Sequence, residues 1–201
     1  MRTSRKVGCT AFPCTDVNHG AYIVPGIETK PQKISMIMIS EAPPHDQQDY
    51  FYSRGDSLFQ ETTVQAFNDG GAKVSSVSEI VEMGVYLTTA VKCGKIGYGI
   101  RTDTIKECSQ VLERELALFP EIRVLMLMGD VAIKALNYIS LRSGGNRVIP
   151  AGSTYKIRGQ KYFFKKIRVF PSYLQAGPSF FIEKSKRRMI AEDISAALRL
   201  L

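Results

Sequence analysis

The sequence predicts an α/β protein, a three-layer α/β/α sandwich around a four-stranded, mainly parallel sheet. Two observations carry this expectation. Residues 34–40, 85–91, 124–128 and 167–171 are short and apolar almost without interruption, the pattern of strands covered on both faces. Between and after them, apolar residues recur at helical spacing, and strands alternating with helices give that layered architecture.

Taken in order, residues 61–67 and 76–83 predict two short helices after the first strand. Thr104 with Glu107 has the spacing of a capping box. It would open a helix reaching about residue 119, with Ile105, Cys108, Val111, Leu112, Leu116 and Phe119 on one face. Asp130 is placed to cap a helix over residues 131–139. Residues 155–157 and 162–164 flank Arg158-Gly159-Gln160-Lys161, the pattern of a hairpin. Residues 182–201 put Met189, Ile190, Ile194, Ala197, Leu198 and Leu201 on one helix face, with basic residues at the start. No repeat or linker divides the 201 residues, so a single domain is expected.

Apolar residues make up 44% and charged residues 23%, values that suit a globular protein with a real core. The apolar runs are too short to span a bilayer. The opening MRTSRKVGCTAFPC lacks the apolar stretch of a secretory signal, so a cytoplasmic protein is expected. The net charge of +8 favours a polyanionic partner, because neutralising phosphates releases condensed counterions. The basic residues cluster at Lys156, Arg158, Lys161, Lys165, Lys166 and Arg168, and again at Lys184, Lys186, Arg187 and Arg188. Each cluster also reads as a solvated surface.

The four cysteines form a close pair, Cys9 and Cys14, far in sequence from Cys93 and Cys108. Structural disulfides are not expected in the cytosol. Two thiol groups brought together by folding suggest one closed metal site, and spacing alone accepts either zinc or an iron–sulfur cluster. In parallel sheets ligands bind beyond the carboxyl ends of the strands. Chemistry is therefore sought in the segments after Ser40, Thr89, Met128 and Pro171.

Read in order, those strand ends resemble the uracil-DNA glycosylase superfamily, particularly its iron–sulfur (family 4/5-like) branch. ISMIMISEAPP resembles the family's first strand and Gly-Glu-Ala-Pro-Gly-type loop, and VYLTTAVKC its segment ending in Asn-x-x-Lys-Cys. ECSQVLERELALFPEIRVLMLMGDVAIKAL resembles the cysteine, helix, strand, glycine and helix that follow. VFPSYLQAGPSFF sits where the family has its His-Pro-Ser loop. The resemblance spans about residues 9–200. It implies one [4Fe-4S] cluster, held by Cys9, Cys14, Cys93 and Cys108, with a structural role beside a DNA-binding surface. The first pair is wider here than the usual Cys-x-x-Cys.

The resemblance further implies excision of a flipped base by a monomer acting on DNA. Such an enzyme must hold the base outside the stack and stabilise an oxocarbenium-like sugar. Glu41 matches the family's first-loop acid, as water activator or cation stabiliser, with Asp46 and Asp49 competing for the role and His45 assisting. For the aromatic that stacks on the base, Phe51 and Tyr52 are preferred among Tyr50, Phe51, Tyr52 and Phe59. Two positions depart from the pattern. Thr89 stands where the family's base-reading Asn would be, offering one hydroxyl in place of an amide. Gly177-Pro178-Ser179 stands where His-Pro-Ser would be, so the base-stabilising His is absent; Tyr173, Gln175 and Ser179 are the candidates to replace it. Phe180 and Phe181 are candidate wedges into the stack, and Lys184, Lys186 and Arg187 candidate phosphate contacts. The reading is a glycosylase for uracil or another deaminated or modified base. Its rivals are a non-catalytic nucleic-acid-binding protein that kept fold and cluster, and a redox sensor.

Overall fold

In the computed structural model, which describes residues 1–55 and 57–201, the strands are β1 (Val17–Asn18), β2 (Met36–Ser40), β3 (Val85–Thr89), β4 (Gly94–Lys95), β5 (Val124–Met128), β6 (Tyr162–Phe164) and β7 (Ile167–Ser172). The helices are α1 (Leu58–Asp69), α2 (Val77–Glu82), α3 (Thr102–Leu116), α4 (Asp130–Arg142), α5 (Thr154–Ile157), α6 (Ser179–Ile182) and α7 (Lys184–Leu198). The main sheet runs β3-β2-β5-β7-β6, and the first four are parallel neighbours. The expected parallel core is therefore present, with β6 added antiparallel at its edge as a fifth strand.

Full burial on both faces explains the unbroken apolarity: every residue of β2, β3 and β5 is buried. Alternate side chains serve two cores. Ile37, Ile39, Tyr86, Leu125 and Leu127 pack with Ile105 and Leu112 of α3 and Leu136 of α4. Met36, Met38, Leu87, Met126 and Phe170 pack with Phe67 of α1, Ile80 of α2 and Ile194 of α7. Burying a side chain the size of Leu112 stabilises by about 1.5–3 kcal/mol.

Three local expectations are corrected. Residues 155–157 do not form a hairpin arm; they are helical in α5, and Arg158 is drawn away to Asp193 and Glu192 of α7. The hairpin instead joins β6 to β7 through Lys165 and Lys166, with Lys165 at φ 55, the left-handed conformation that tight hairpin turns require. Thr104 does not cap α3, which starts at Thr102; its hydroxyl bonds the Asp16 carboxylate, which also accepts the Arg101 N–H at 2.7 Å. That contact pins the N-terminal segment onto α3. Nor is Asp130 a cap: it is the first residue of α4, after Gly129. Among the described residues, no helix is long and apolar enough to cross a membrane.

Candidate active site and thiol cluster

The parallel strands end together at Ser40, Thr89, Met128 and Ser172, and the segments beyond them converge. The Ala90 and Val91 N–H groups donate to the Ser40 and Glu41 carbonyls at 2.8 and 2.9 Å, so the chains leaving β3 and β2 run side by side. Lys95 is held to the same loop by its N–H on the Pro43 carbonyl at 3.1 Å. Its ammonium lies 3.3 Å from the half-buried Glu41 carboxylate. The other side of Glu41 rests on Gly129, where φ is 98° and a Cβ would meet Glu41 Oε1 at 2.7 Å. Glycine is thus favoured there by its backbone conformation, and an added Cβ would push the Glu41 carboxylate aside.

Asp46 and Asp49 are engaged locally. Asp46 accepts the Gln48 N–H at 2.8 Å in its own turn, and Asp49 accepts the Phe59 N–H at 3.0 Å at the start of α1. Neither is joined to Glu41 by a hydrogen bond, and His45 is exposed. Phe51 is 1% exposed and packs on Phe59 at 4.9 Å between centroids. Tyr52 donates its hydroxyl to the Leu87 carbonyl at 3.0 Å and accepts the Leu87 N–H at 2.9 Å, which satisfies the open edge of β3. Burial raises the pKa of both Tyr50 and Tyr52, keeping the phenols protonated.

Gln175, in the loop after β7, is fully buried. Its amide contacts the Ser40 hydroxyl, with Nε2 at 3.0 Å and Oε1 at 3.2 Å, and reaches the Thr63 hydroxyl at 3.4 Å. Ser40 is the register partner of Thr89. The loop amide therefore stands one strand away from the position where the family pattern has Asn. Thr89 Oγ1 and Tyr50 Oη are buried without a hydrogen-bond partner, a condition that costs about 1–3 kcal/mol per group.

Tyr173 is half-buried, with the Lys186 ammonium 5.7 Å from its ring centre. Ser179 and Lys184 are exposed. Phe180 is 4% exposed and belongs to the core, whereas Phe181 and Ile182 emerge at 37% and 76%. Ile182 was not among the sequence candidates; it would have surfaced only from knowing where α6 breaks. Lys186 pairs with Glu183, and Arg187 pairs with Asp69 while covering the Phe180 and Phe181 rings at 5.2 and 5.8 Å. Of the upstream basic cluster, Arg158 grips Asp193 with two bonds of 3.0 and 2.9 Å, and Arg168 lies 4.2 Å over Phe170. Lys156, Lys161, Lys165 and Lys166 stay exposed.

One pairing carried no sequence signal. Lys92 and Glu115 are both fully buried and form an ion pair. Lys92 also donates to Thr88 Oγ1 at 2.8 Å and to the Thr89 carbonyl, and Glu115 Oε1 accepts from Tyr86 at 2.8 Å and Thr88 at 2.9 Å. The network anchors the strand end that leads into Cys93.

All four cysteines are free, with Cys93 and Cys108 buried and Cys9 and Cys14 half-buried. Between Cys9 and Cys14 the chain turns at Phe12, whose φ of 45° is left-handed, which accommodates the wide spacing of the pair. The Phe12 ring packs on Tyr22 at 5.0 Å, and Tyr22 Oη accepts the Cys9 N–H at 2.9 Å. Arg114 of α3 donates to the Gly8 carbonyl at 2.8 Å. Burial pushes the Cys93 thiol up to about 12, with the other three cysteines adding to the effect. Burial likewise pushes Cys108 to about 11, opposed by the Lys92 N–H and charge and reinforced by Cys14 and Cys9. Cys14 is raised too, again chiefly by burial. Among the described residues, no three or more His, Cys, Asp or Glu side chains are arranged to hold a metal ion.

Known proteins resemble this chain over most of its length. The family model described as the uracil DNA glycosylase superfamily matches residues 28–193, a span that includes Cys93 and Cys108 but not Cys9 and Cys14. A type-5 uracil-DNA glycosylase of Thermus thermophilus is 30% identical over 118 residues, 58% of this chain and 51% of that protein. The chain thus spans about half the length of the curated relative it matches. The solved wild-type UNG of Nitratifractor salsuginis is 13% identical at a TM-score of 0.41, covering 87% of this chain and 81% of that one. With the family model matched across most of its length and the parallel sheet in place, the chain belongs to the uracil DNA glycosylase superfamily.

Proposed function

We propose that the protein hydrolyses the N-glycosidic bond of a deaminated or otherwise modified base flipped out of DNA, with Glu41 as its central acid. The observation that carries the reading is the Glu41 carboxylate, fixed between Lys95 and Gly129 where the strands end. As the bond breaks, its electron pair leaves with the base and positive charge develops on the sugar. A carboxylate at that point stabilises the cation and takes the proton of the attacking water. Lys95 orients Glu41 through their ion pair, and Gln175, held by Ser40 and Thr63, places an amide one strand from position 89. Exposed Phe181 and Ile182, followed by Lys184, supply an apolar wedge beside a phosphate contact.

The cysteines fit a [4Fe-4S] cluster by their donor chemistry. Burial, and after it the neighbouring thiols, disfavour the thiolates of Cys14, Cys93 and Cys108, and a cationic centre reverses that balance. Four thiolates can hold either a single tetrahedral ion or a cluster, and the likeness of the cysteine-bearing segments to the iron–sulfur branch favours the cluster. The bound group would tie the N-terminal segment to β3 and α3. Protein purified without oxygen should be brown, absorbing at roughly 400 nm, and Cys108→Ser should lose the colour. A colourless protein carrying zinc would overturn the assignment.

The activity test uses single- and double-stranded oligonucleotides carrying uracil, hypoxanthine, xanthine or oxidised bases, with abasic sites revealed by alkali. Glu41→Gln should slow release by about 100-fold or more while leaving the absorbance unchanged. Undiminished release would remove Glu41 from the mechanism. No release from any substrate, with salt-sensitive DNA binding retained, would establish the binding-protein alternative, which Thr89 in place of Asn favours.

A further inference from the structure

The strand order leaves β6 at one edge of the sheet, with β7 as its single neighbour. Phe164 and Ile167 flank the turn at Lys165 and Lys166, and Phe163 faces Arg168 one step further along. In an antiparallel ladder such pairs alternate between exchanging hydrogen bonds and turning their amides away from each other. Arg168 is of the second kind, because its N–H donates to the Arg123 carbonyl at 2.9 Å. The Phe163 N–H and carbonyl therefore point outward, and among the described residues no other backbone group takes them up. Beside this edge lies a groove of about 340 Å³, between Ser143, Asn146, Arg147 and Val148 on one side and Phe163 and Phe164 on the other. The Phe163 side chain is left well exposed, at 56%.

Arg147, Lys161, Lys165 and Lys166 stand around this edge, all exposed, and none is in an ion pair among the described residues. Lysines along an edge strand turn away a second copy of that strand. The edge of a chain with net charge +8 thus rejects its own kind and admits a partner of opposite sign. The turn carrying Lys165 and Lys166 also stands at the amino end of β7, the opposite end of the sheet from Glu41. Base excision at Glu41 leaves these cations without a role. We propose that the free edge of β6 receives an extended acidic segment of another protein, which adds to the five-stranded sheet as a further strand. Strand addition takes its affinity from main-chain hydrogen bonds and its selectivity from alternate side chains. Phe163 offers the main-chain donor and acceptor, its ring and the groove offer apolar contact, and the four cations select for carboxylates. A nucleic-acid strand would match the charge but not the outward amide pair.

The probe is a short fluorescein-labelled peptide of alternating glutamate and valine, titrated by anisotropy against the full chain beside a copy N-methylated at every peptide nitrogen. The copy keeps the charges and side chains but cannot donate to a strand. Wild-type protein should bind the plain peptide about tenfold more tightly than the methylated one, and the Phe163 amide should gain protection from hydrogen exchange in the complex. Lys161→Glu combined with Lys166→Glu should weaken the plain peptide by about tenfold. Phe163→Pro should abolish its binding, since the lost N–H lies outside the ladder with β7 and proline is tolerated at such an edge. The comparison of the two peptides uses wild-type protein and stands even if Phe163→Pro fails to fold. Equal affinity for both peptides would show that charge alone holds them and would overturn strand addition. No binding at up to about 1 mM peptide would overturn it as well. So would a short thymidine oligonucleotide whose binding the double charge reversal weakens more than it weakens the peptide, because the edge would then be a nucleic-acid contact.

Discussion

Two buried polar clusters occupy opposite faces of β3, and they are built to opposite standards. On the α3 face, Tyr86 and Thr88 converge on Glu115, which Lys92 neutralises, and the charged ends are engaged several times over. On the α1 face, Thr89 joins Ser40, Gln175 and Tyr50, and two hydroxyls there have no partner. The strand's alternation delivers neighbouring residues to both clusters. A buried network that exists for stability closes on itself, because any unmatched group weakens it. The contrast within a single strand separates a network closed for stability from one that forgoes part of it.

The largest way to break the comparison lies on the closed side. Glu115→Leu leaves the Lys92 ammonium buried and unpaired, and should cost about 3–5 kcal/mol in denaturant unfolding. Lys92→Met with Glu115→Leu should recover most of that loss, since removing both charges removes the desolvation they suffer. A double variant no better than the single one would mean that the hydrogen bonds of Tyr86 and Thr88, rather than charge balance, carry the stability. On the open side the effect should be smaller. Gln175→Leu strands the Ser40 and Thr63 hydroxyls, at about 1–3 kcal/mol, and should depress base release more than the stability loss explains at a temperature where the variant is fully folded. Loss of stability with activity per folded molecule intact would assign Gln175 to the scaffold.

The sequence made the strands legible because two-sided burial writes itself as unbroken apolarity. It marked Tyr162–Phe164 as a hairpin arm but with the wrong partner: the alternating Tyr155–Ile157 imitates a strand, yet it is helical and Arg158 is held by Asp193. Lys92 stands in the sequence only as part of the Asn-x-x-Lys-Cys-like segment, and its pairing with Glu115 across 23 residues leaves no local mark. Glu41 stood out through the motif around it, but the preference for glycine at 129 emerged only once their contact was visible. The open hydroxyls were beyond reach of sequence, because an unmet hydrogen bond is a property of packing.

An ion pair outside both clusters refines the contrast, since it is half-exposed. Asp69 at the end of α1 accepts two bonds from Arg187 of α7, and this interaction, helped by Gln65 and opposed by partial burial, lowers its pKa below the ordinary 3.8. A depressed carboxylate contributes stability at pH values above its unfolded pKa and loses it as pH falls through the folded value. Unfolding curves at pH 7 should therefore show Asp69→Asn less stable by about 0.5 kcal/mol, the scale of a half-exposed pair screened by solvent. The gap should close below about pH 3.8 as Asp69 is protonated in the wild type. Salt should narrow it at neutral pH. Arg187 lies over Phe180 and Phe181, beside the exposed apolar turn of α6. If that guanidinium is free to turn toward phosphate, Asp69→Asn should tighten DNA binding while it weakens the fold. An unchanged DNA affinity would confine Arg187 to joining α1 and α7 and leave phosphate contact to Lys184.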